Sequence, residues 1–240
     1  MSYQFLQLEQ QGQVAYVWLN RPELHNAFNT TVIEELHTCF KQIAIRDDIR
    51  VVVLAGRGKS FSAGADLNWM KQAGQASAEE NEADALKLAK MLEALATLNQ
   101  PTIARVHGIA FGGGMGLASA CDICVASTDA KFATSEVRLG LAPSTISPYV
   151  IRAMGVQASR RYFITAERFS AQQAHAMGMV HEVCTSEQLD ATIAQHVSQL
   201  VANGPHAVRL CKQLVRDVAN VPNTQTLRDD TAKRIADIRA

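Results

Sequence analysis

The segment TIARVHGIAFGGGMG, residues 102–116, reads as a short strand, a small-residue turn and the opening of a helix. Thr102–Val106 is bounded by Pro101 and by His107-Gly108, as a strand covered on both faces would be. Three consecutive glycines, Gly112 to Gly114, stand where the helix should begin. Each costs on the order of 1 kcal/mol relative to alanine in a helix, so close backbone approach explains them better than packing alone. A second segment repeats the design: Val51–Gly56, then Ser62-Ala63-Gly64-Ala65-Asp66-Leu67. Small residues let a ligand reach the backbone, and helix N-termini offer unpaired N–H donors. Two such turns facing each other would hold an oxygen that becomes negative during reaction.

Outward from these segments the chain alternates strand and helix. Tyr3, Phe5 and Leu8, then Val14–Leu19, flank a polar Gln10–Gln13 and read as a hairpin ended by Arg21-Pro22. Asn29-Thr30-Thr31 caps a helix whose apolar face is Val32, Ile33, Leu36, Phe40 and Ile43. Lys71 to Asp84 is polar without strong periodicity and is expected as a mobile surface segment. Leu88, Leu92, Leu95 and Ala96 mark a helix ending before Pro101, and Ile123–Ala126 is a further strand. The alternation predicts an α/β fold with parallel pairing. Beyond Ser159 strand signals nearly vanish, apart from Val180–Val183, so helices packed outside the strand core are expected there.

A chain of 240 residues suits one large domain, or one with a small appendage. Lys+Arg and Asp+Glu both total 23, so no excess charge draws the protein to nucleic acid or anionic lipid. The longest uncharged stretch, Val106 to Cys121, is too short to span a bilayer. Met1-Ser-Tyr-Gln-Phe5 has no basic or apolar leader pattern, and five scattered cysteines suit a reducing compartment. A cytoplasmic protein is expected.

Other motifs lack support. Gly112–Gly116 fails the G-x-G-x-x-G spacing, and no acidic residue ends a following strand at the expected place. Cys121-Asp-Ile-Cys124 has no second Cys or His pair at zinc spacing, so packing is the better reading. There is no H-E-x-x-H and no G-x-S-x-G. His107 is read as a satisfied neighbour of the glycine loop, and no metal site is expected.

The segments FSAGADL (61–67), GIAFGGG (108–114), Cys121-Asp122 and KFATSEVRLG (131–140) together resemble the enoyl-CoA hydratase/isomerase, or crotonase, family. The resemblance is collinear from about residue 3 to residue 220. It implies a crotonase-type α/β spiral of ββα units with a helical C-terminal region, residues 1–190 holding the CoA and active sites and 191–240 serving trimerisation. It implies a homotrimer or homohexamer, an acyl-CoA thioester as substrate, and no metal or organic cofactor. Carried over by residue, the oxyanion hole is the backbone N–H of Ala65 and of Gly113. The loop His25-Asn26-Ala27 and the backbone of Ala63, Gly64, Ala65, Asp66 and Leu67 hold the adenine and pantetheine of CoA.

Family hydratases use two glutamates. Glu136 matches the second, and its carboxylate is expected to exchange a proton with the α-carbon. The first falls on Gly116, a departure that removes a two-carboxylate dyad. Water addition across a 2,3-unsaturated acyl-CoA is the leading expectation. A Δ3,Δ2-enoyl-CoA isomerase using Glu136 alone and a non-catalytic homologue are the alternatives. The stretch Ser135–Pro148, with Pro143-Ser-Thr-Ile146 where Pro-Gly-Gly-Gly is usual, looks most like hydratases acting on 3-methylglutaconyl-CoA or isohexenylglutaconyl-CoA. Gly116 is expected to free volume for a branched acyl group carrying its own carboxylate, with Arg138, Arg152, Ser144 or Thr145 to receive it. Relatives usually continue for another helix past Ala240, often with a basic segment over CoA, so a truncated chain or a differently built lid is expected.

Overall fold

The computed structural model describes residues 3–239; Met1, Ser2 and Ala240, on which the readings of the two chain ends partly rest, lie outside them. Two sheets are stacked. The larger has the order β1 (Leu6–Gln11), β2 (Val14–Leu19), β3 (Val51–Gly56), β4 (Thr102–Val106), β6 (Ile123–Ser127) and β9 (Glu182–Cys184). Only β1 and β2 pair antiparallel in it. The smaller sheet has the order β5 (Ile109–Phe111), β7 (Lys131–Ala133) and β8 (Phe169–Ser170). Single parallel bridges, Phe28 with Ala65 and Ser62 with Ala110, extend its layer toward the N-terminus. Each turn of chain thus lays one segment in each layer before crossing back through a helix, which makes a spiral of ββα units.

The predicted strands fall where alternation demands. Val52 and Leu54 of β3 face the main core, while Val51 and Val53 face a second cluster with Val14, Ile103 and Val125. A strand buried on both faces must be apolar throughout, as β3 is. Helix α1 (Thr30–Ala44) begins at Asn29, whose side chain accepts from the Val32 N–H at 2.9 Å, and buries Val32, Ile33, Leu36, Cys39, Phe40 and Ile43. Helix α8 (Leu189–Ala202) covers the second cluster with Leu189 and Ile193.

The segment expected to be mobile is helical. Helix α2 (Leu67–Ala73) and α3 (Ala78–Ala96) occupy most of it, and Ser77 and Glu80 form a reciprocal capping box. The box satisfies orphan donors of the first turn, and only the C-terminal half of α3 meets the core, through Met91, Leu92 and Leu95. That is why apolar periodicity is missing before Leu88. The short β5, β7 and β8 also escaped the strand reading, being two or three residues long.

Helices α4 (Gly113–Ala120), α5 (Ser147–Met154), α6 (Val156–Thr165) and α7 (Ala171–Ala176) complete the spiral. After α8, α9 (Pro205–Val218) and α10 (Gln225–Arg239) bury none of their described residues. Lys212 ties α9 to the core, its Nζ 2.7 Å from Asp122 and 3.1 Å from the Gln100 carbonyl. No helix among the described residues is long and apolar enough to cross a membrane.

Candidate active site

The turn after β3 and the turn after β4 are zipped together as neighbouring strands. Phe61 N–H donates to the His107 carbonyl, Ser62 N–H to Ile109, and Phe111 N–H to Ser62, all at 2.9–3.0 Å. On the other side, Phe28 N–H donates to Gly64 O at 2.6 Å and Asp66 N–H to Phe28 O at 2.8 Å. A parallel bridge of this kind uses the groups on either side of Ala65 and turns the Ala65 N–H away from Phe28.

Glycine is needed at two corners. Gly64 has φ +85, and a Cβ there would lie 2.6 Å from Phe111 O and 3.3 Å from Gly113 N. Gly112 has φ +47, where L side chains are strained, and caps α4. The Gly64–Ala65 peptide is thereby pressed against the first turn of α4. Beneath Gly113 lies the buried Phe28 ring, 2.7 Å from where a Cβ would stand. Among the described residues neither Ala65 N–H nor Gly113 N–H donates to a protein acceptor. Both residues are partly exposed. Two free donors at the positive end of a helix form a receptor for a developing oxyanion.

Glu136 opens a 3₁₀ turn, Glu136–Leu139, directly after β7. Its Oε1 lies 3.1 Å from the Cβ position of Gly112, which puts the carboxylate beside the start of α4. Oε2 is buried and has no hydrogen-bond partner. Burial raises the Glu136 carboxyl above its ordinary value. A carboxylate so placed is a stronger base than an exposed one. Arg138, its neighbour in sequence, turns away and donates from Nη2 to the Ala166 carbonyl at 2.7 Å.

The segments expected around CoA converge on the same edge. Ala63 N–H donates to His25 O at 2.8 Å, and His25 Nδ1 lies 2.9 Å from Ser60 Oγ. His25 and Leu67 are exposed, whereas Ala27 is buried. The Asp66 side chain points inward: it pairs with Arg21 at 2.7 Å and accepts from the Asn68 and Trp69 N–H groups, capping α2. Asn26 was read only as part of a loop, yet its buried side chain accepts from Arg21 N–H and donates to the Arg57 and Ser60 carbonyls. Its φ of +55, in a region that Asn tolerates, is the one local hint. Arg21 was read only as the end of the hairpin, and Phe28 was not singled out.

One expectation is overturned. Gly116 leaves no free volume, because a Cβ there would lie 2.4 Å from Ile146 Cγ2 and 2.9 Å from its Cβ. Ile146 is 3% exposed and fills that seat. His107 is satisfied, its Nε2 2.9 Å from Gly58 O, and Cys121 and Cys124 are buried in the core. Burial pushes the Cys124 thiol up to about 12, so it serves packing.

The enoyl-CoA hydratase/isomerase family model matches residues 9–235. A crystal structure of an enoyl-CoA hydratase from Shewanella pealeana superposes with a TM-score of 0.95 at 40% identity, covering 98% of this chain and 88% of that one. The short-chain-enoyl-CoA hydratase of Clostridium acetobutylicum is 35% identical over 87% of this chain and 79% of its own. The 2,3-dehydroadipyl-CoA hydratase of Escherichia coli is 32% identical over 89% and 82%.

Proposed function

The chain belongs to the enoyl-CoA hydratase/isomerase family, and on that premise we propose that it adds water across a 2,3-unsaturated acyl-CoA. The observation that carries this is the Glu136 carboxylate, its Oε2 buried without a hydrogen-bond partner, at the start of the helix that offers two free N–H donors. In this reading the thioester carbonyl oxygen accepts from Ala65 and Gly113. The water oxygen bonds to the β-carbon as electron density moves onto that carbonyl oxygen, giving an enolate. Glu136 takes the proton that water releases and delivers it to the α-carbon, which restores the thioester. The two N–H groups stabilise the enolate more than the neutral carbonyl, so they lower the barrier rather than merely binding substrate. The CoA thioester is the substrate, and no cofactor takes part.

For the acyl group, we read a short chain carrying its own carboxylate, of the 3-methylglutaconyl type. The Ser135–Pro148 stretch and the likeness to a dehydroadipyl-CoA hydratase support this. CoA would lie along His25, Ala27 and the Ala63–Leu67 backbone. Residues 191–240 are read as the region that assembles three or six copies.

The second reading is a Δ3,Δ2-enoyl-CoA isomerase, favoured by Ile146 filling the seat at 116 and leaving Glu136 as the sole acid–base group. Incubation with but-2-enoyl-CoA and with but-3-enoyl-CoA, followed by the conjugated thioester absorbance, separates the two. Loss of absorbance with the first supports the hydratase. A gain with the second and no loss with the first selects the isomerase.

A further inference from the structure

Glu136 and Ile146 occupy successive seats along one helix. Gly112 caps α4, and Gly116 lies one turn further on, its N–H donating to Gly112 O at 3.0 Å. Glu136 Oε1 stands 3.1 Å from the Cβ position at 112, and Ile146 Cγ2 stands 2.4 Å from that at 116. A helical turn rises about 5.4 Å, so the two side chains meet α4 about one turn apart. Ile146 reaches this seat from the residue preceding α5, whose Val150 and Met154 are buried with it in the main core. It is therefore held rigidly, and the seat one turn beyond Glu136 is apolar.

We propose that Ile146 is a specificity-determining residue: it fills the seat that any side chain at 116 would need, and it limits the acyl group beyond the carbon that Glu136 serves. The inference rests on the reading of the site given above. A thioester whose oxygen lies at the first turn of α4 and whose α-carbon meets Glu136 has its next carbons beside the following turn, where Ile146 stands. In this inference the same side chain limits bulk solvent at the carboxylate while the reacting water enters with the substrate, in accord with the raised proton affinity of Glu136.

The test compares but-2-enoyl-CoA with oct-2-enoyl-CoA in Ile146→Gly, Ile146→Val, Gly116→Ala and the double variant Gly116→Ala/Ile146→Gly. Glycine is tolerated where a helix begins, and without the side chain the remaining Ile146 contact is Cα at 3.8 Å, an ordinary one. Ile146→Gly should raise the octenoyl-to-butenoyl ratio of kcat/KM about 10-fold or more. It should also move the acid limb of the pH profile down, which loss of packing alone would not do. Ile146→Val, which keeps the Cβ and a branch, should retain the wild-type ratio. Gly116→Ala should lose activity, and the double variant should recover it. An unchanged ratio and acid limb in Ile146→Gly, or full activity in Gly116→Ala, overturns the inference alone. No turnover of either thioester by the wild type overturns the underlying reading with it. Should Ile146→Gly fail to fold, Ile146→Ala reads the same ratio.

Discussion

Gly64 stands against Gly113: a Cβ built on the first would lie 3.3 Å from the nitrogen of the second, with the Gly64 backbone at φ +85. The nitrogen of Ala65 is bonded to the Gly64 carbonyl carbon, so one glycine sets the spacing of both free donors. Gly64→Ala should lower turnover of a 2-enoyl-CoA by about 10²-fold or more, the loss typical of a missing oxyanion donor. Urea unfolding should show a cost of about 1–3 kcal/mol, as for other strained backbones. A variant with wild-type turnover would separate Gly64 from the hole.

Glu136 carries a raised proton affinity because burial disfavours its ionised form. Its folded pKa lies above the unfolded value of about 4.3. The stability linked to it is therefore full below the unfolded value and lost as pH rises through the folded one. Glu136→Gln should raise Tm at pH 7, and the gain should fade as pH falls below about 4. Thermal melts across that range check the sign; a lower Tm at pH 7 would contradict it.

Asp66 ties the turn after β3 to Arg21, just beyond β2, by an ion pair, and caps α2. Its Oδ2 is 2.7 Å from Arg21 Nη1, and Oδ1 accepts from Asn68 N–H at 2.7 Å. Both side chains are mostly buried, at 14% and 8% exposure. Asp66→Ala should cost about 3–5 kcal/mol, since it strands a buried guanidinium. KM for the CoA thioester should rise more than kcat falls, because the loop that loosens lies on the CoA side of the proposed site.

Lys212 is the main polar tie between α9 and the spiral. The Lys212 side chain is 8% exposed, and burial lowers its pKa despite the Asp122 carboxylate 2.7 Å away. Asp122 keeps Thr102 N–H and Oγ1 as partners at 2.7 and 2.9 Å in its absence. Lys212→Met should thus cost about 1–3 kcal/mol. Limited proteolysis should then cut between α8 and α9 faster than in the wild type.

Features set by neighbours in sequence were legible. The continuous apolar run of β3 and the Asn29 cap each act within a few residues. Ser77 and Glu80 were equally local, and the S-x-x-E spacing was the signal that would have placed the start of α3. What could not be read depends on distant contacts. Asp66 meets Arg21 across 45 positions, and Ile146 comes from the far end of the next ββα unit to meet Gly116. The missing side chain at 116 was visible; what took its place was not.

The central claim is that the Ala65 and Gly113 donors with Glu136 make an enolate at the α-carbon. The most direct measurement is deuterium uptake, by NMR, at the α-carbon of 3-hydroxybutanoyl-CoA in heavy water. The account predicts that the wild type incorporates deuterium at that carbon and that Glu136→Gln does so at least about 10²-fold more slowly. No uptake by the wild type, or equal uptake by the variant, would contradict it.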